Sequence, residues 1–174
     1  MPKVSASTQT AVGPERVWQL VVDLPRYAEW NTMHDAFTSD VPATLGEGVA
    51  YKQRVKMMGM PADIAWRVGT VDAPGKLELL GDGPMGIKTL NRFVIEPAGD
   101  GSQVTFEMEF NGPALTGAIG AMAEKQSLAA AQQSLAKFAR GALRSSREQS
   151  ASGRKELAAV CLLPDVVGCF DGVE

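Results

Sequence analysis

Histidine occurs once in these 174 residues, and cysteine twice. The cysteines, Cys161 and Cys169, both sit near the C-terminus. Two cysteines make no disulfide framework, and a single histidine leaves no Cys/His set with zinc-ligand spacing, so no metal site is expected. No stretch reaches the ~18 consecutive apolar residues of a membrane helix, so no integral membrane segment is expected. The N-terminal segment Met1-Pro2-Lys3-Val4-Ser5-Ala6-Ser7 lacks the apolar core of a secretory signal. Lys and Arg number 17 against 20 Asp and Glu, for a net charge of −3, and no basic stripe stands out. Nucleic acid is therefore not an expected partner. P-loop, HExxH and GxSxG patterns are absent. The segment Gly81-Asp82-Gly83-Pro84-Met85-Gly86 matches GxGxxG, but Pro84 and a strand pattern from Ile87 stand where a dinucleotide site needs a helix. No cofactor is expected. Together these features point to a reducing, cytoplasmic setting and leave the oligomeric state open.

What is present is an ordinary globular balance, 45% apolar and 21% charged, on a chain long enough to bury a core. The clearest pattern is a hairpin. Leu90 to Pro97 and Ser102 to Phe110 alternate in phase around Gly99-Asp100-Gly101. Val104, Phe106, Met108 and Phe110 share one face; Gln103, Thr105, Glu107 and Glu109 share the other. Arg92 faces outward, opposite Glu107 or Glu109, in a position to form a cross-strand ion pair. The same period-two signal marks Val49 to Met57, the run holding Ile64, Trp66, Val68 and Thr70, the pair Leu77 and Leu79, and Ile87 to Ile95. Val4 to Ala11 reads as a first strand, and a further short strand is suggested near Phe37. Pro14-Glu15 opens a short helix carrying Val17, Trp18, Leu20 and Val21, and Arg26 to Trp30 allows a second turn of helix after Pro25.

A long Ala-rich helix follows from about Ala114, with Leu128, Ala131, Leu135, Phe138 and Ala142 at three-to-four spacing. Lys137, Arg140, Arg144 and Arg147 read as a solvated face. Ser145 to Gly153 reads as a linker. Beyond it Leu157 to Phe170 is mostly apolar but interrupted by Pro164-Asp165. That segment is not cationic enough for a polybasic membrane anchor and is expected to dock on the domain or stay mobile. The division expected is a ligand-binding domain over 1–145 and a C-terminal tail of unassigned role over 146–174.

The alternation turns Tyr51, Gln53, Trp66, Thr89, Asn91, Phe93, Phe106 and Met108 inward, and Met122 is placed beside them from the long helix. Gln53, Thr89 and Asn91 are polar side chains on an otherwise apolar face. Each unpaired buried amide or hydroxyl costs ~1–3 kcal/mol. A few polar groups among apolar ones is the usual make-up of a small-molecule pocket. His34 is read as a loop histidine, and Tyr51 as the best inward proton donor.

Pro14-Glu15-Arg16-Val17-Trp18, followed by Leu24-Pro25-Arg26-Tyr27-Ala28-Glu29-Trp30-Asn31, resembles the opening segment of the START-like (SRPBCC) superfamily. That superfamily includes the polyketide cyclase/dehydrase and lipid-transport family and the pollen-allergen-like proteins. Leu45-Gly46-Glu47-Gly48, Asn91 to Pro97 and Gly99-Asp100-Gly101-Ser102 fall at its turns and last hairpin. The resemblance spans residues 3 to 145. It implies an α+β helix-grip fold: a curved antiparallel sheet wrapped around a long C-terminal helix, two short helices after the first strand, and a cavity between sheet and helix. The function it implies is binding, transport or sequestration of a hydrophobic small molecule such as a lipid or polyketide. Tyr51, Gln53, Trp66, Thr89, Asn91, Phe93, Phe106, Met108 and Met122 would be its ligand-binding residues, with the start of the long helix and the Gly81–Gly86 turn as gate. Two alternatives stay open. One is a cyclase, aromatase or dehydratase using Tyr51 or His34 for proton transfer. The other is a protein-interaction module of the chaperone-cofactor type, with a filled core.

Overall fold

Alternating burial along each strand decides which residues face the core. A computed structural model describes residues 3–57, 59–113 and 115–160, with side chains as far as Ala151. Seven strands are present among the described residues: β1 (Lys3–Thr10), β2 (His34–Phe37), β3 (Ala50–Met57), β4 (Met60–Asp72), β5 (Lys76–Asp82), β6 (Lys88–Ala98) and β7 (Gly101–Asn111). They form one antiparallel sheet in the order β1-β7-β6-β5-β4-β3-β2. All but β1 follow as a meander, and β1 closes the far edge against β7. In the β6–β7 hairpin Ala98 faces Gly101, so Gly99 and Asp100 make the two-residue turn. Gly99 takes φ +58° at its first central position, a conformation glycine adopts without strain.

The outer face carries the ion pair expected from the alternation, in an extended form. Arg92 stands opposite Glu107 on β7 and Glu78 on β5. Its Nε donates to Glu78 Oε1 and an Nη to Glu107 Oε2, each at 2.8 Å. The Arg92 guanidinium, with help from Lys76, holds the Glu78 carboxyl below its usual range. Its half-solvated setting makes this a pairing device that fixes register, with little net stability.

Two short helices and one long one cover the inner face: α1 (Pro14–Val22), α2 (Tyr27–Trp30) and α3 (Gly117–Val160), with a 3₁₀ turn at Leu24–Arg26. Pro14 starts α1, where its missing N–H costs nothing. Val17, Leu20 and Val21 are buried. Tyr27 sends its hydroxyl to Val21 O at 3.0 Å, tying α2 to α1. Trp30 meets Phe93 and Phe138 edge-on, with ring centres 6.1 and 5.2 Å apart, and so links β6 to α3. The next residues latch onto α3 directly. Thr32 N donates to Ser134 Oγ at 3.0 Å and Thr32 Oγ1 to Ala130 O at 3.1 Å. This is the helix-grip α+β fold.

Contacts divide the described residues at Leu143, with a second unit from Arg144. Ser145–Gly153 is helical and not a linker. Its Ser, Arg, Glu, Gln and Ala residues contain no proline, and helix propensity carries through such a polar stretch. The expectations for Cys161, Cys169 and the apolar stretch beyond Val160 lie outside the described residues. No helix among the described residues is long and apolar enough to cross a membrane.

Two glycines test the packing with opposite signs. A Cβ on Gly101 would run into the Thr10 carbonyl oxygen and lie 2.8 Å from Ala11 Cα, both backbone atoms of the neighbouring β1 segment. A Cβ on Gly141, inside α3, meets nothing within 4 Å. Urea denaturation should show Gly101→Ala destabilised by about 2 kcal/mol or more, and Gly141→Ala stabilised by about 1 kcal/mol. Equal effects would contradict this packing.

Candidate functional site

The helix that covers the sheet is thin where it crosses β3 to β7. Successive inward positions on α3 are Ala123, Ser127, Ala130, Ala131 and Ser134, with Leu128 half-buried beside them and fully buried bulk at Leu135 and Phe138. The facing strands carry long side chains. Small residues opposite a concave sheet leave space, and a cavity of about 160 Å³ lies there. Strands β3 and β4 contribute Tyr51, Gln53, Val55, Ile64 and Trp66 to its wall. Strands β5 to β7 contribute Leu79, Thr89, Asn91, Phe93, Phe106, Met108 and Phe110. Helix α3 closes it with Gln126, Ser127 and Ala130.

Gly81 makes room for one wall of this space. It stands between Trp66 and Thr89 in the sheet. A Cβ there would come within 2.7 Å of the Trp66 ring and 2.6 Å of Thr89 Cγ2. The indole therefore lies across the backbone of β5. This accounts for the first glycine of the GxGxxG match as a packing residue. Pro84–Gly86 form a 3₁₀ turn and then β6 begins, so no helix follows the match.

The polar groups on the wall are unevenly satisfied. Thr89 Oγ1 donates to Asn91 Oδ1 at 3.2 Å. Gln53 Nε2 lies 2.7 Å from His34 Nδ1. An amide nitrogen only donates, so Nδ1 accepts and the ring hydrogen sits on Nε2. His34 is thus no free loop histidine: it opens β2, half-buried, with its ring 4.7 Å from that of Phe37 and 6.4 Å from that of Tyr27. Burial lowers its pKa below the ordinary 6.5, against the opposing pull of Asp35. Burial also pushes the Tyr51 phenol far above its usual value, so it stays protonated and acts as a donor. Tyr51 and Trp66 face each other across β3 and β4. Tyr51 OH and Trp66 Nε1 are both sealed from solvent and have no hydrogen-bond partner. Thr10 Oγ1 and Trp30 Nε1 share that state away from the cavity.

Eight of the nine residues named from sequence line the cavity: Tyr51, Gln53, Trp66, Thr89, Asn91, Phe93, Phe106 and Met108. Met122 does not. It is 48% exposed, because the phase of α3 turns Ala123 and Ser127 inward instead. Met60 and Met85 are likewise exposed, at 65% and 75%. Neither the Gly81–Gly86 turn nor the start of α3 forms the rim. Exposed Lys56, Gly59 and Gln126 do, with half-buried Asn31, Met33 and Met57 beside them. Sequence reasoning also missed Tyr27, Ser127 and Ala130. The signal for the last two was present as the run of small residues at helical spacing.

The state of His34 gives a pH prediction. Its folded pKa is depressed, so below pH ~6.5 the unfolded chain binds protons that the folded chain resists, and stability falls with acidification from there. NMR titration of the imidazole should give a midpoint below 6.5, and urea midpoints should drop as the pH is lowered through it. A midpoint at or above 6.5 would contradict the buried, Gln53-bonded geometry.

Comparison with known proteins agrees with this architecture. A protein of Mycobacterium tuberculosis named Toxin Rv0910 is 35% identical over 138 residues, covering 79% of this chain and 96% of that one. The Uncharacterized protein Rv1546 of the same organism is 31% identical over 139 residues, covering 80% and 97%. Among solved structures, the protein TTHA0849 from Thermus thermophilus shares the fold with a TM-score of 0.67 and 18% identity, over 83% of this chain and 99% of that one. Residues 1–142 match the family described as polyketide cyclase / dehydrase and lipid transport, and the chain belongs to that family.

Proposed function

We propose that the chain binds a hydrophobic small molecule in the cavity between sheet and α3, and carries or sequesters it. The observation that carries this reading is the pair Tyr51 OH and Trp66 Nε1, buried without partners on the cavity wall. An unmade buried hydrogen bond costs about 1–3 kcal/mol. Both residues line the cavity, so a ligand acceptor that shifts the wall enough to meet these two atoms would make the missing bonds. Family membership supports the same reading, since lipid transport is part of the family's description. The void also separates it from an interaction module with a filled core.

Of the two groups considered for proton transfer, Tyr51 is held protonated by burial. His34 engages its Nδ1 with Gln53 and is not part of the lining. Donors that orient a bound molecule fit this arrangement better than an acid–base pair.

Native mass spectrometry of the purified chain, with mass spectrometry of its organic extract, tests the proposal. A stoichiometric organic molecule is expected on the wild type, and none on Ala130→Phe, which fills the cavity from α3. An equal load on both proteins would place the ligand elsewhere. A bare wild type whose lining residues also show no NMR shift with ethylbenzene, acetophenone or oleate would overturn the reading. The relative named a toxin suggests toxicity on expression as a cellular readout. The same Ala130→Phe variant separates a ligand-dependent effect from one exerted by the outer surface.

A further inference from the structure

Resting on the ligand-binding reading, we infer that the cavity takes a compact, neutral molecule of about one aromatic ring that presents a hydrogen-bond acceptor to the wall, and not a long-chain lipid or a multi-ring polyketide. Size comes first. The cavity measures about 160 Å³, and an apolar cavity of about 150 Å³ holds a single benzene. A second fused ring or a long alkyl chain exceeds that space, and would have to stand out through the rim at Lys56, Gly59 and Gln126 or displace side chains and backbone. Phe93 and Phe106, stacked with centres 4.4 Å apart and planes 12° from parallel, give part of the wall a flat apolar character.

The polar complement sets the chemistry of the ligand's other end. Two donors on lining residues are buried without a protein partner: Tyr51 OH and Trp66 Nε1. The indole N–H only donates and the phenol O–H can donate, so the ligand group that matches both is an acceptor such as a carbonyl oxygen. Charge is excluded by the same census. The one ionised side chain on the described lining is Lys56, which is exposed at the rim and paired to Asp35 at 3.2 Å. A carboxylate set among Phe93, Phe106 and Met108 would lose its hydration with no counter-charge.

The test is a titration of the full chain, followed by NMR and calorimetry, with five probes: ethylbenzene, acetophenone, benzoate, 2-acetonaphthalene and 2-tridecanone. Acetophenone should bind one to one, shift the Trp66 indole and Asn91 amide signals, and bind about tenfold tighter than ethylbenzene. Benzoate, 2-acetonaphthalene and 2-tridecanone should each bind at least about tenfold more weakly than acetophenone. Tyr51→Phe should lower acetophenone affinity severalfold and leave ethylbenzene unchanged. Ethylbenzene binding as tightly as acetophenone would overturn the acceptor; benzoate doing so would overturn the neutrality. Equal or tighter binding of 2-acetonaphthalene or 2-tridecanone would overturn the size limit while leaving the ligand-binding reading intact. Silence from all five, with a bare protein in native mass spectrometry, would overturn both.

Discussion

The constraint on which the rest depends is a mismatch of side-chain size across one interface. The inner face of the sheet presents Tyr51, Trp66, Phe93, Phe106 and Met108, all buried. The stretch of α3 laid over it offers alanine and serine. Protein interiors close-pack wherever side chains allow, and here they do not allow it. The helix cannot sink into the void, because Leu135 and Phe138 wedge it at one end and Thr32 bonds it to the segment after α2. The cavity is thus held open by well-packed neighbours on the same helix.

The polar wall follows from that space. In a solid core Tyr51 and Trp66 would need partners from the helix, and alanine has none to offer. Gln53 finds one in His34 and Thr89 one in Asn91. The phenol and the indole are left over. The two satisfied pairs brace the wall, and under the proposed ligand-binding reading the unsatisfied donors would orient an incoming molecule. Family membership is consistent with this division between a common scaffold and a specific lining.

The fold was legible because its strands alternate. Every strand of the β3 to β7 meander shows inward residues at period two, and Gly99-Asp100 announces its hairpin. Most of the wall was legible for the same reason. What failed depended on helix phase and on the partners of a turn. Met122 is apolar and close in sequence to the inward stripe, but a helix turns about 100° per residue, and one step from Ala123 faces solvent. His34 looked like a loop residue because its partner, Gln53, lies on another strand across a register shift in the β2–β3 pairing. The glycines of the 81–86 segment suggested mobility, yet Gly81 is a packing requirement of Trp66. The continuation of α3 through Ser145–Gly153 was hidden by its polar composition.

The central claim is that the sealed donors on the wall await a ligand atom, and the Trp66 indole hydrogen reports on it directly. The chain has three tryptophans, so three indole N–H resonances can be assigned through single Trp→Phe variants. With acetophenone at saturation, the account predicts that the Trp66 indole proton moves downfield and exchanges more slowly, while the Trp18 indole, outside the cavity lining, stays in place. A saturated protein in which the Trp66 signal does not move, or moves no more than that of Trp18, would contradict it.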